Sequence, residues 1–188
     1  MRAMNNRTSL CQAVPFPRLL RGIAVVSCLW LAGCTMVPEL GGLMDRGDRN
    51  GRRIVVSLKS QQATLYHHGN VVAIAPISAG REGKGTPVGK YNVIQKSPDH
   101  RSSLYGNYVM NGKIVKENVD NRKTARPAGS KFEGVPMPYF LRFTGAYGLH
   151  AGNVPGYPAS SGCVRLPQRH AKRFFEAVKI GTPVVVQR

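Results

Sequence analysis

The sequence predicts a mainly β domain with one helix near its C-terminal end and a long flap. Three observations predict it: short β-branched or alternating runs recur between turn-forming residues from position 53 onward, only Pro167 to Lys179 spaces its apolar residues helically, and residues 97–136 turn polar. At 188 residues the chain has the length for one domain with a core of its own.

The elements follow in order. Ile54-Val55-Val56-Ser57-Leu58 is a β-branched run, Ala63 to His67 alternates, His68-Gly69-Asn70 has turn chemistry and Val71 to Ala75 is a second strand, so this stretch reads as a hairpin. Tyr91 to Gln95 gives another strand after a Gly- and Pro-rich turn, and Tyr139 to Thr144 and Thr182 to Gln187 add two more. In the helix, Pro167 stands at the start, Ala171, Phe174, Phe175 and Val178 share a face, and Gly181 stops it. Residues 97–136 lack a regular pattern and read as a flap over the site, anchored by Tyr105, Tyr108, Met110, Ile114 and Val115.

Ahead of the domain lies a leader. Arg18 and Arg21 precede a nearly wholly apolar Gly22 to Ala32, and the run closes on Leu31-Ala32-Gly33-Cys34, the layout of a secretory signal over residues 1–33. The last four letters resemble the cleavage box of bacterial lipoproteins, which implies that Cys34 becomes the lipidated first residue and anchors the protein to a membrane facing the periplasm. Thr35, in place of Asp, resembles outer-membrane sorting. Residues 34–52, rich in Gly, Asp and Arg, read as a tether, with the domain over 53–188.

The formal charge of +18 survives loss of the leader: the four Arg of residues 1–33 leave 23 bases against nine acids, or +14. Such a balance suits polyanions, but the bases are scattered from Arg46 to Arg188 without interleaved aromatics, which argues against nucleic acid. The segment Gly80 to Lys90 imitates a phosphate loop and fails its spacing, with Tyr91 after Lys90 and a strand following. His67 and His68 sit at a turn on opposite faces and bind no metal, His170 is a helix-surface residue, and His100 belongs to the flap, as a plain loop residue or as a contact to substrate.

The four cysteines are Cys11, Cys28, Cys34 and Cys163. With two lost to the leader and one lipidated, Cys163 is the sole free thiol of an exported chain, either a buried inert residue or a nucleophile. Its neighbours favour chemistry. His150 lies 12 intervening residues upstream across a Gly/Pro-rich loop that can return the chain on itself. An imidazole beside a thiol raises its thiolate fraction, so His150 is the candidate base. The backbone amides of Ser161, Gly162 and Cys163 are candidate oxyanion donors, with Gly162 allowing close approach. Arg165 projects on the same face as Cys163 in extended chain, to hold a substrate carboxylate or to brace the loop. Ser160 and Tyr139 are further candidates for substrate contact, Tyr139 serving the core equally well. A carbonyl near Ser160 or Ser161 is expected to orient His150.

His150, the loop and Ser160-x-Gly162-Cys163-Val164-Arg165-Leu166 resemble the active-site signature of the L,D-transpeptidase catalytic domain family, as do Gly85-Thr86-Pro87-Val88-Gly89 and Met137-Pro138-Tyr139. The resemblance covers roughly residues 53–188. It implies a β-sandwich or barrel-like fold and no metal or cofactor; the protein is separately expected to be a monomer. It also implies a reaction in which Cys163 attacks the third residue of a peptidoglycan stem tetrapeptide, expels D-alanine and passes the thioester to an amine. Ser161 stands where the signature usually has His, and the spacer is short. Rival readings are a carboxypeptidase, in which water is the acceptor, and a catalytically silent lipoprotein that binds peptidoglycan. A papain-type peptidase fits less well, because its Cys precedes its His in the chain.

Overall fold

The computed structural model describes Asp48 and residues 50–188. Residues 1–33, read above as a leader, Cys34 and most of residues 34–52, read as a tether, lie outside the described residues. The folded part begins earlier than residue 53. Asp48 Oδ1 accepts hydrogen bonds from the backbone N–H groups of Asn50 and Arg52, at 2.8 and 2.9 Å, and its Oδ2 accepts one from Thr182 Oγ1 at 2.5 Å. An aspartate at this position ties the end of the tether to the C-terminal part of the domain.

Ten strands form two five-stranded sheets. They are β1 (Arg52–Ser57), β2 (Gln62–His67), β3 (Asn70–Pro76), β4 (Gly89–Asn92), β5 (Gln95–Met110), β6 (Lys113–Asp120), β7 (Lys131–Thr144), β8 (Tyr147–Ala151), β9 (Val164–Leu166) and β10 (Pro183–Gln187). One sheet runs β3-β2-β1-β10-β4 and the other β6-β5-β7-β8-β9. The first follows from period-two patterning: Ile54, Val56, Ala63, Leu65, Ala75, Val184 and Val186 are all buried on one face. The N- and C-terminal strands β1 and β10 pair in parallel, so the two ends of the domain close the same sheet.

The expected strand from Tyr91 to Gln95 is in fact a change of sheet. β4 pairs β10, β5 pairs β7, and between them the Val93 and Ile94 N–H groups donate to Thr182 O, just before β10, and to Arg142 O of β7. The helix α1 (Gln168–Ala177) buries Ala171 and Phe174 against the shared core. Its C-terminal carbonyls at Phe175 and Val178 accept from Lys96 Nζ of β5, both at 2.6 Å, which places a cation where the helix dipole favours one.

Two expectations are corrected here. Residues 97–136 are mostly strand and not irregular: β5, β6 and the start of β7 make a long antiparallel extension with β-bulges. Tyr108 holds its base, fully buried, with its hydroxyl 3.0 Å from Asn121 Oδ1 and 2.9 Å from Thr124 O. The rings of His67 and His68 do not point apart either. His68 takes a left-handed φ of 48°, which breaks the strand alternation and brings the ring centroids to 4.3 Å.

Candidate active site

Three neighbouring strands carry the same alternation. In Leu141-Arg142-Phe143, Leu149-His150-Ala151 and Val164-Arg165-Leu166 the outer members belong to the main core, so the central Arg142, His150 and Arg165 face the other side of the sheet. Register then places them. His150 pairs Arg165 across the parallel β8–β9 pair, and Arg142 pairs Gly148 across β7–β8. Leu149 pairs Val164, so Cys163 comes beside Gly148, on the His150 face. Cys163 and Arg142 thus flank a residue with no side chain between them. A Cβ on Gly148 would meet Phe140 Cε2 at 2.5 Å and Leu141 O at 2.7 Å.

Cys163, His150 and Arg165 line one cavity of about 240 Å³, together with Arg142 and His100. Cys163 Sγ–H donates toward Ala146 O at 3.5 Å. Burial pushes its pKa up, while the Gly148 N–H and the charges of Arg142 and Arg165 act against that by favouring thiolate. His150 is buried, 6% exposed, and its Nδ1 lies 2.8 Å from Ala151 O. A carbonyl can only accept, so Nδ1 carries the hydrogen and Nε2 is left bare. Burial lowers the His150 pKa to about 4, the Ala151 carbonyl opposing the shift and Arg165 and His100 adding to it. The resting pair is therefore a neutral imidazole and a thiol. The orienting carbonyl is that of Ala151, the residue next to His150, and not one near Ser160 or Ser161 as the sequence suggested.

The turn before Cys163 is fastened from several sides. Ser160 Oγ donates to Cys163 O at 2.5 Å and accepts from the Gly162 N–H at 2.9 Å. This commitment removes the Gly162 amide from the oxyanion donors and leaves those of Ser161 and Cys163. Gly162 takes φ 123°, and a Cβ there would strike Tyr147 Cε1 at 2.6 Å, so glycine is required for conformation and space. Gly162 O accepts from the buried Thr86 Oγ1 at 2.7 Å, which itself accepts from the Gly80 N–H at 3.0 Å. The Gly-Thr-Pro turn thus braces the site as well as joining strands. Ser161 Oγ accepts from Arg81 NH1 at 3.1 Å. This serine lines the cavity but does not touch His150 through any hydrogen bond among the described residues.

Ser160 also lines the cavity, whereas Tyr139 does not. With φ 58°, Tyr139 turns its ring toward Phe175 of α1, centroids 5.8 Å apart, and serves the core. His100 stacks on Phe140 at 4.2 Å and reaches the cavity from β5, so it is placed for substrate contact and is not a plain loop residue. Arg142 and Arg81 were missed altogether. Arg142 has no local signal, since its place depends on the register of three strands.

Among the described residues no group of three or more His, Cys, Asp or Glu could hold a metal ion. No helix among them is long and apolar enough to cross a membrane.

Comparison with known proteins gives a consistent result. The family model for the L,D-transpeptidase catalytic domain (YkuD) matches residues 51–186. A probable L,D-transpeptidase 3 of Mycobacterium tuberculosis is 33% identical over 121 residues, which is 61% of this chain and 38% of that protein. A probable L,D-transpeptidase ErfK/SrfK of Salmonella typhimurium is 27% identical over 162 residues, 82% of this chain and 50% of that protein. The chain thus spans half or less of the length of these curated relatives. Among solved structures, L,D-transpeptidase 3 from Mycobacterium tuberculosis shares the fold with a TM-score of 0.56 at 20% identity, covering 73% of this chain and 61% of that one. An L,D-transpeptidase from Mycobacterium smegmatis gives a TM-score of 0.56 at 18% identity, covering 73% and 58%.

Proposed function

The chain belongs to the L,D-transpeptidase catalytic domain family, and from that premise we propose that it is a cysteine acyltransferase acting on peptidoglycan stem peptides. The observation that carries this reading is that His150, its Nδ1 held by Ala151 O at 2.8 Å and its Nε2 free of hydrogen, lines the same cavity as Cys163.

In the proposed reaction Nε2 takes the Sγ proton as sulfur attacks the carbonyl carbon of the third stem residue. The carbonyl oxygen becomes an oxyanion met by the amides of Ser161 and Cys163. Collapse breaks the amide bond, and imidazolium returns the proton to the nitrogen of the leaving D-alanine. The thioester is then attacked by an amine, whose proton passes to His150 and finally back to Cys163 Sγ. A second stem as acceptor gives a 3-3 cross-link. Arg142 and Arg165 favour the thiolate during the attack and supply positive charge that the usual His at position 161 would otherwise contribute.

The same proposal places the protein in the bacterial envelope, facing the periplasm and anchored through Cys34, on the strength of the apolar leader ending in Leu-Ala-Gly-Cys. It acts as a monomer and requires no cofactor.

The test is mass spectrometry of muropeptides after incubating full-length protein in detergent with tetrapeptide-stem peptidoglycan, beside Cys163→Ala. New 3-3 dimers with the unaltered protein alone are expected. Tripeptide stems without dimers would make water the acceptor and the protein a carboxypeptidase. No Cys163-dependent change, with amines supplied, would overturn acyl transfer in favour of a silent wall-binding protein.

A further inference from the structure

The cavity contains positive charge that the protein does not neutralise. Three of its lining residues are arginines, Arg122, Arg142 and Arg165, and none is Asp or Glu. Arg122 is answered from outside the cavity: its Nε and NH2 bind the Asp120 carboxylate at 2.9 and 2.7 Å, and Asp120 is held down to a pKa of about 2 by that contact. Two guanidinium groups remain. Arg165 is half-buried and makes no side-chain hydrogen bond or ion pair among the described residues.

Arg142 is pinned and still incomplete. Its Nε donates to Gln95 Oε1 and its NH1 to Gly145 O, both at 2.7 Å, and the guanidinium lies over the Phe140 ring at 5.2 Å. The partners are neutral, so the charge is unpaired, and the second terminal nitrogen makes no hydrogen bond among the described residues. A pre-positioned guanidinium loses little freedom on meeting an anion. Leu104, Val135 and Met137 add apolar side chains to the lining of the same cavity. Two unpaired cations, one of them pinned, beside aliphatic side chains match two carboxylates joined by an aliphatic chain, and match a polar sugar poorly.

We propose that this cavity selects an acyl donor with two free carboxylates, one met by Arg165 and the second, borne on the aliphatic side chain of the acyl residue, met by Arg142. A carboxamide in the second position offers a weaker, uncharged acceptor and leaves Arg142 uncompensated in a partly desolvated site, so such donors are rejected. The inference names the substrate class of the site and rests on the acyl-transfer reading above. Arg142 is in this account a specificity-determining residue.

The experiment reads binding, so that it does not depend on turnover. Full-length Cys163→Ala protein in detergent is titrated calorimetrically with a stem tetrapeptide whose third residue is diaminopimelate, its distal carboxyl either free or amidated. The free form is expected to bind about tenfold tighter or more. Adding Arg142→Gln should reduce the ratio to within about twofold and leave the amidated donor within about threefold of its former affinity, whereas Arg142→Lys should keep part of the preference. Melting curves establish that each variant is folded. Equal affinity for the two donors, or an Arg142→Gln variant that weakens both alike, would overturn the inference. A protein that shows the preference but forms no thioester would sink the acyl-transfer reading and leave carboxylate selection standing.

Discussion

In the sheet β3-β2-β1-β10-β4 the buried face is apolar throughout, from Ile54 and Val56 to Val184 and Val186, and the strands are four to seven residues long. The sheet β6-β5-β7-β8-β9 sends Leu141, Phe143, Leu149, Val164 and Leu166 into the same core, yet its other face holds Arg142, His150, Cys163 and Arg165 around a cavity. One sheet spends its patterning on burial. The other secures burial with alternate residues and carries on its second face groups that are costly to desolvate. Core and chemistry are thus separated by the two faces of single strands, one residue apart.

That separation can be broken at either face. The largest effect is expected from His150→Ala, which removes the base: kcat/KM should fall by about 10²–10⁴, with cooperative melting retained. A variant that kept near-normal turnover would show that the polar face is not the catalytic one. Phe174→Ala strikes the core face. Its side chain is fully buried, and truncation should cost about 3–5 kcal/mol in denaturant titration. Residual activity measured well below the melting temperature should change far less than for His150→Ala.

Acid titration sharpens the comparison further. The folded pKa of His150, about 4, lies below its ordinary 6.5. Above pH 6.5 the group is neutral in both states and contributes nothing to the pH dependence. As pH falls from 6.5 toward 4 the unfolded chain takes up a proton that the folded protein refuses, so stability declines, by about 3 kcal/mol at the lower end. Activity behaves differently: Nε2 stays bare across this window, so kcat/KM should be flat between pH 8 and 5. An acid limb centred near 6.5 would show that the imidazole is solvated in the working enzyme. The smallest effect is expected at Thr86→Val, which leaves Gly162 O and the Gly80 N–H without their buried partner and should cost about 1–3 kcal/mol by thermal or chemical melting.

The same division explains what the sequence could disclose. β1, β2, β3, β10 and α1 were legible because each presents one apolar face at a clean period, two or 3.6 residues. The β5–β6 extension was hidden because Lys113 to Asn118 is exposed throughout, so no alternation marks it as strand. β8 and β9, five and three residues long, are too short for a periodic signal. His150 and Cys163 were recognisable by residue type and by the letters around them. Arg142 was not, since its nearness to Cys163 exists only after three strands are in register with a glycine between. Tyr139 was open to a core or a pocket reading, and the structure packs it on the core side with a left-handed φ of 58°. The orienting carbonyl was sought at Ser160 or Ser161, whereas the backbone of the adjacent Ala151 already supplies it.

His150 and Cys163 are held by the β8–β9 pair and by the bracing of the 160–162 turn from Ser78, Gly80 and Thr86. The peptide joining them is tied to the same brace at one place, where Tyr157 O accepts from Ser78 Oγ at 2.8 Å. Around Gly156 there is open space, and Tyr157 is 62% exposed. A break in the chain at this point would divide the molecule into one fragment with His150 and one with Cys163, whose strands β1 and β10 must also find one another in parallel for the sheet to close. The acyl transfer proposed for the site would then report whether two such fragments had met.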